Sequence, residues 1–131
     1  MTGLDTNILI RYVTQDDALL TPRANAIMSS LTVEEPGWIA LTALAEFAWV
    51  MSRRFKIDRA GIHFILQQLM SQPKLMLEQH ELVRKATGLY LLGNVDFSDY
   101  LVACSGQAAG CTHTLTFDRK AAKSAGMTLA T

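Results

Sequence analysis

Asp5, Glu46, Asp99 and Asp118 are the residues of this chain whose types and spacing suit chemistry. Asp5 follows the short run Met1-Thr2-Gly3-Leu4, and Asp118 follows Leu115-Thr116-Phe117, so each closes a short extended segment. Glu46 falls near the start of the helical stretch after Gly37-Trp38-Ile39-Ala40-Leu41, and Asp99 near the start of the one leading into His113 to Phe117. A helix feeding a strand in an α/β layer runs antiparallel to it, which puts the helix N-terminus at the strand's carboxyl edge. The spacing therefore predicts all four carboxylates on one edge of one sheet, where such sheets bind ligands. Gathered carboxylates repel, and some would take up protons unless a cation stood among them. Mg²⁺ answers that need: it takes oxygen ligands, keeps several waters and is held by a few carboxylates plus substrate phosphate. No His or Cys falls at ligand spacing, which favours Mg²⁺ or Mn²⁺ over zinc. A metal-held water beside a phosphodiester becomes a nucleophile, and a second ion stabilises the leaving oxygen.

Each acid also has a plainer reading. Asp5 and Asp118 are N-cap residue types, and Asp99 suits the positive end of a helix. Glu46 lies among Leu44, Ala45, Phe47, Ala48, Trp49 and Val50. A carboxylate buried there needs a partner, and Arg53 or Arg54 would serve. The shared geometry of the four weighs for the chemical reading.

The elements that must position them follow from pattern and punctuation. Asn7 to Val13 reads as a short helix. Thr21-Pro22 reads as an N-cap with Pro at the first helical position, starting a helix to about Leu31. Gly37 to Leu41 is a short apolar strand, after which Thr42 caps a helix to about Phe55. Asp58 caps the next, through Ile62, Ile65, Leu66 and Leu69 to about Ser71. Leu75 to Leu77 is a further strand, Glu81 to Leu92 a helix ended by Gly93-Asn94, and Ser98 caps a helix to Ala109 with Gly110 beyond it. His113 to Phe117 is a strand, Arg119 to Ser124 a short helix, and Met127 to Leu129 a last strand. Short apolar strands alternating with helices imply an α/β sandwich with a short parallel sheet.

Composition bounds the rest. The 131 residues are half apolar, and 12 Lys and Arg balance 12 Asp and Glu. One domain spanning residues 1–131 is expected, burying about two-thirds of its unfolded surface. Disorder is excluded by the apolar content, and every apolar run is too short for a membrane span. No secretory signal is visible, so a reduced, cytoplasmic protein is the default. Cys104 and Cys111 form no CxxC pair and read as two buried thiols. Zero net charge argues against a protein that coats nucleic acid. With several acids drawn into one cluster, however, the remaining surface is more basic than the total suggests.

Four segments carry a resemblance: Leu4-Asp5-Thr6-Asn7-Ile8-Leu9, Leu44-Ala45-Glu46-Phe47, Asp96-Phe97-Ser98-Asp99-Tyr100-Leu101-Val102-Ala103 and Thr116-Phe117-Asp118-Arg119. In order and spacing they resemble the acidic motifs of PIN domains, and most closely the VapC-type ribonuclease toxins of toxin–antitoxin pairs. The resemblance spans essentially the whole chain. It implies a PIN-like three-layer sandwich, a short central parallel sheet flanked by helices. It further implies an acidic pocket binding Mg²⁺ or Mn²⁺, cleavage of single-stranded RNA to 5′-phosphate and 3′-hydroxyl ends, a small antitoxin partner and a homodimer. Asp5, Glu46, Asp99 and Asp118 match the acidic quartet as metal ligands and catalytic residues. Asn7 matches a residue that orders the first Asp, and Thr116 a hydroxyl residue before the last. Asp96 matches an additional metal-site acid found in part of the family.

Arg11 and Arg119 lie nearest the expected pocket and are candidates for RNA contact. Arg53, Arg54 and Lys56 suit a helix C-terminus. Trp38 and Trp49 read as core residues, as do Ile62, Phe64, Ile65, Leu66 and Leu69. The last group would alternatively form an antitoxin groove or dimer face. His63, His80 and His113 are scattered. A haloacid-dehalogenase-type phosphatase also begins with a strand and an Asp but needs a second Asp two residues on, where this chain has Asn7. A non-catalytic binding module, a DNA nuclease and an RNA-processing nuclease outside any toxin–antitoxin pair remain open, because acids that act on phosphate carry no base information.

Overall fold

The computed structural model describes all residues from Met1 to Thr131. In chain order the elements are β1 (Thr2–Gly3), α1 (Thr6–Thr14), α2 (Leu20–Ser30), β2 (Gly37–Ile39), α3 (Leu41–Arg53) and α4 (Arg59–Ser71). There follow β3 (Leu75–Leu77), α5 (His80–Leu92), α6 (Phe97–Ala108), β4 (Leu115–Thr116), α7 (Arg119–Ser124) and β5 (Thr128–Leu129). Strands β1, β2 and β3 form a parallel sheet in that order, pairing Gly3 with Trp38 and Trp38 with Met76. Gly37 allows the close packing above this sheet. A Cβ there would stand 2.7 Å from Leu4 Cδ1 and 2.9 Å from Leu31 Cδ1.

The helices present apolar stripes at helical spacing. In α3 the buried residues are Leu44, Phe47, Ala48 and Met51, and in α6 they are Phe97, Tyr100, Leu101 and Cys104, both following i, i+3, i+4, i+7. Helix α3 packs on α1 and α6, while α5 packs on α4 and α6. One continuous core of 26 buried residues joins them. The fold is a PIN-like α/β architecture of seven helices around a short parallel sheet.

Several sequence expectations are corrected. The sheet is split: β4 and β5 pair only with each other, Leu115 with Thr128 and Thr116 with Leu129. Strand β1 has two residues before Leu4 and Asp5 turn into α1, which leaves little edge for β4 to extend. Helix α2 begins before Thr21. Asp17 Oδ1 accepts from the Leu19 and Leu20 amides, while the Asp17 amide donates to Thr21 Oγ1. Thr42 caps nothing, because Glu78, after β3, reaches across to accept from the Leu41 amide at 2.8 Å. Ser98 lies inside α6, whose N-cap is Asp96. Asp58 does cap α4, accepting from the Gly61 amide.

Trp49 is 53% exposed, on the side of α3 opposite its buried stripe, with the Arg53 guanidinium 6.0 Å from its ring centre. Phe64 is likewise exposed, whereas Ile62, Leu66 and Leu69 are core. Cys104 is buried and its burial pushes the thiol above the ordinary range, but Cys111 is exposed beyond the C-terminus of α6.

Candidate metal centre

Each predicted acid stands at or near a helix N-terminus. Asp5 is the N-cap of α1, and its Oδ1 accepts from the Thr6 amide at 2.8 Å. Leu4 before it and Leu9 and Ile10 after it are buried, and the Leu4 amide donates to Trp38 O, so Asp5 is fixed from both sides. Thr6 is buried too, with its hydroxyl 3.5 Å from Ala43 O of α3. Asn7 is exposed in the first turn of α1.

Asp118 is the N-cap of α7. Its Oδ1 accepts from the Lys120 and Ala121 amides at 2.8 and 3.2 Å, while its own amide donates to Thr116 Oγ1 at 3.0 Å. The Thr116 hydroxyl thus orients the backbone at Asp118.

Asp99 is the third residue of α6 and is partly buried. Its carboxyl is pushed above the ordinary range, first by burial, then by the negative charges of Asp96 and Asp118. Asp96 and Asp118 are thus acids whose negative charge reaches Asp99. Asp96, the N-cap of α6, is the only one of them in an ion pair, with Arg53 Nη2 at 3.2 Å from its Oδ2.

Glu46 is exposed, with no hydrogen bond or ion pair, and sits in the second turn of α3. The expectation of a carboxylate buried among apolar neighbours is corrected: at 100° per residue Leu44, Phe47 and Ala48 turn inward, while Glu46 turns out with Trp49. The plainer alternative, a salt bridge from Glu46 to Arg53 or Arg54, is absent, and Arg53 pairs with Asp96.

The candidate RNA contacts differ. Arg11 Nη1 is paired to Asp16 at 3.1 Å, its side chain is largely covered, and its Nε is buried without a partner. Arg119 is exposed and forms no ion pair.

A family model described as the PIN domain matches residues 4–126. The chain belongs to the PIN-domain family. No curated protein matches it closely enough to add a relative's name. PIN domains are generally nucleases and typically use divalent metal ions.

The donor set of this PIN domain fits such an ion. Asp5 and Asp118 each engage Oδ1 in capping and keep Oδ2 free, and the exposed Glu46 carboxylate accepts no hydrogen bond. These are hard oxygen donors, the kind Mg²⁺ and Mn²⁺ prefer. The arrangement is an open edge rather than a closed cage, because no three His, Cys, Asp or Glu side chains close around one point. Mg²⁺ tolerates an open edge, since it keeps several of its waters.

Sequence reasoning missed Arg59. Its Nη1 donates to Tyr90 O at 2.7 Å and its Nη2 to Val95 O at 2.8 Å, and its guanidinium lies 4.1 Å from the Tyr90 ring centre. It therefore clamps the loop that delivers Asp96. The partners are backbone carbonyls more than thirty residues away, so no local pattern announces the interaction.

Proposed function

We propose that this PIN domain is a metal-dependent endoribonuclease, the VapC-type toxin of a toxin–antitoxin pair. The observation that carries the reading is the trio Asp96, Asp99 and Asp118 at the N-termini of α6 and α7, with Arg53 as its only paired cation. A partly buried carboxylate beside two others is unfavourable without a counter-charge. When bound, Mg²⁺ or Mn²⁺ supplies that charge and Lewis-acid activation of water.

Asp5, Asp99 and Asp118 would hold the ion, directly or through water, with Asp96 at its rim. Glu46, exposed and unpaired, is free to bind the ion or to orient the attacking water by accepting its proton. Thr116 orients the backbone at Asp118, and Asn7 would help to order Asp5. Arg119, and Arg11 at the far end of α1, would meet RNA phosphates. The products would carry a 5′-phosphate and a 3′-hydroxyl. No helix is long and apolar enough to cross a membrane. An antitoxin and a second copy of the chain are the expected protein partners. Phe117 and Leu92, each 88% exposed, and Phe64 at 60% support surfaces that such partners cover.

Replacing Asp5 by Asn tests the reading. Asn retains an Oδ1 that accepts from the Thr6 amide, so the cap and the fold should survive. Cleavage of single-stranded RNA in Mn²⁺ should fall by about a thousandfold or more, as expected when an electrostatic element of a site is removed. Wild-type rates in the purified, folded Asp5→Asn protein would reject the assignment. So would full wild-type cleavage in EDTA.

A further inference from the structure

Beside the acidic edge lies a cavity of about 330 Å³ with the opposite character. Its walls are Leu92, Gly93 and Asn94 at the end of α5, and Lys120, Lys123 and Ser124 of α7. A single apolar side chain contributes. Neither lysine forms an ion pair, and with Arg119 they put three free cations within five residues that contain no acid.

The wall at Ser124 is held by hydrogen bonds, one of them to the buried Tyr100 behind it. Tyr100 Oη and Ser124 Oγ lie 2.9 Å apart, and the Asn94 amide donates to Ser124 Oγ at 3.3 Å. Gly93 makes room for that pair: a Cβ there would stand 1.5 Å from Tyr100 Oη and 3.1 Å from Ser124 Oγ. The cavity's surroundings adjoin the acids along the chain. Tyr100 follows Asp99 on α6, Asn94 is two residues before Asp96, and the Lys120 amide is hydrogen-bonded to Asp118.

We propose that this cavity is a subsite for the backbone of single-stranded RNA, seating a phosphate next to the scissile one between Lys120 and Lys123. The inference rests on the nuclease reading and adds to it the place where the strand is gripped. Two flexible ammonium groups suit a phosphate as point charges, without demanding one base. The subsite also reconciles zero net charge with an RNA substrate, because the cations that matter are concentrated beside the acids.

The test compares the wild type with K120Q/K123Q, and with Lys74→Gln just before β3, at the other end of the sheet. Binding of a fluorescent single-stranded RNA oligonucleotide is followed by anisotropy in EDTA over a range of KCl, and cleavage of the same RNA in Mn²⁺. The double variant should bind about tenfold more weakly. Its slope of log affinity against log salt should be shallower by about 0.7 for each phosphate it no longer neutralises. KM should rise about tenfold while kcat changes less than twofold, and Lys74→Gln should behave as wild type.

Cleavage by the wild type with unchanged affinity, slope and KM in K120Q/K123Q overturns the subsite and leaves the nuclease reading standing. An equal loss in Lys74→Gln marks a diffuse charge effect and also overturns it. A wild-type protein that neither binds nor cleaves the RNA overturns both.

Discussion

The sheet formed by β1, β2 and β3 and the unit formed by β4, α7 and β5 carry acids of the same site on very different supports. Alternate residues of β2 and β3 are buried, whereas β4 and β5 contain no buried residue. Asp5 is anchored by Leu4, Thr6, Leu9 and Ile10, all inside. Asp118 depends on a six-residue helix that buries Ala121. Of the 26 core residues only Ala121, Ala125 and Met127 follow residue 108. The accessible surface, 7746 Å², exceeds the roughly 6,800 Å² expected for this mass. That excess fits a C-terminal unit lying open. One side of the site is thus built into the core, and the other rests on local capping and a short ladder.

The largest expected effect lies in the anchored region. Phe47→Ala empties a fully buried position of α3 and should cost about 3–5 kcal/mol. Phe117→Ala, in the exposed unit, should change stability by less than about 0.5 kcal/mol. Chemical denaturation of both variants checks the contrast. Similar losses would show that the two regions share one core after all.

Asp118 probes the weaker region more finely. Asp118→Ala removes the acceptor for two α7 amides and should cost about 1 kcal/mol. The loss should appear as faster amide exchange within β4, α7 and β5, with β1 to β3 unchanged. Asp118→Asn keeps the cap, so it should keep the protection while losing RNA cleavage. Uniform acceleration across the chain in Asp118→Ala would show that the unit does not open separately.

The same contrast decides what the sequence made legible. Helices with a strong apolar stripe were readable, α3, α4 and α6 among them, because burial enforces the 3.6-residue period. Asp58, Asp5 and Asp118 were readable as caps because the capped amides are their near neighbours. Reach across the fold was not. Glu78 caps a helix 37 positions earlier, and Arg59 closes a loop 36 positions later. The Asp17 cap was missed because Thr21-Pro22 offered a more familiar signal four residues on. The split of the sheet was missed because strand pairing at two residues depends on how neighbouring loops leave the edge. Trp49 and Glu46 were misplaced for one shared reason. An apolar neighbourhood in sequence says little about facing, and both turn outward from a stripe set by Phe47 and Met51. The acids themselves were legible as types and order, and the reach of the Asp96 and Asp118 charges to Asp99 was not.

The smallest effect comes from the acid between the two regions. Burial, Asp96 and Asp118 all raise the Asp99 carboxyl above its ordinary value, so in metal-free protein its ionised form opposes folding. The sign follows by linkage: the destabilisation is fully present above the raised folded value. It fades as pH falls through that value and is gone below the unfolded one. Asp99→Asn removes the charge without removing volume. In EDTA at pH 7 it should therefore raise Tm by a few degrees, and near pH 3 it should leave Tm where it was. With Mn²⁺ present, wild type should recover the difference, because a cation balances the charge that Asn no longer carries. A lower Tm for Asp99→Asn at pH 7 in EDTA would mean that Asp99 already has a favourable partner in the metal-free fold. The trio would then lose its standing as the mark of a metal centre.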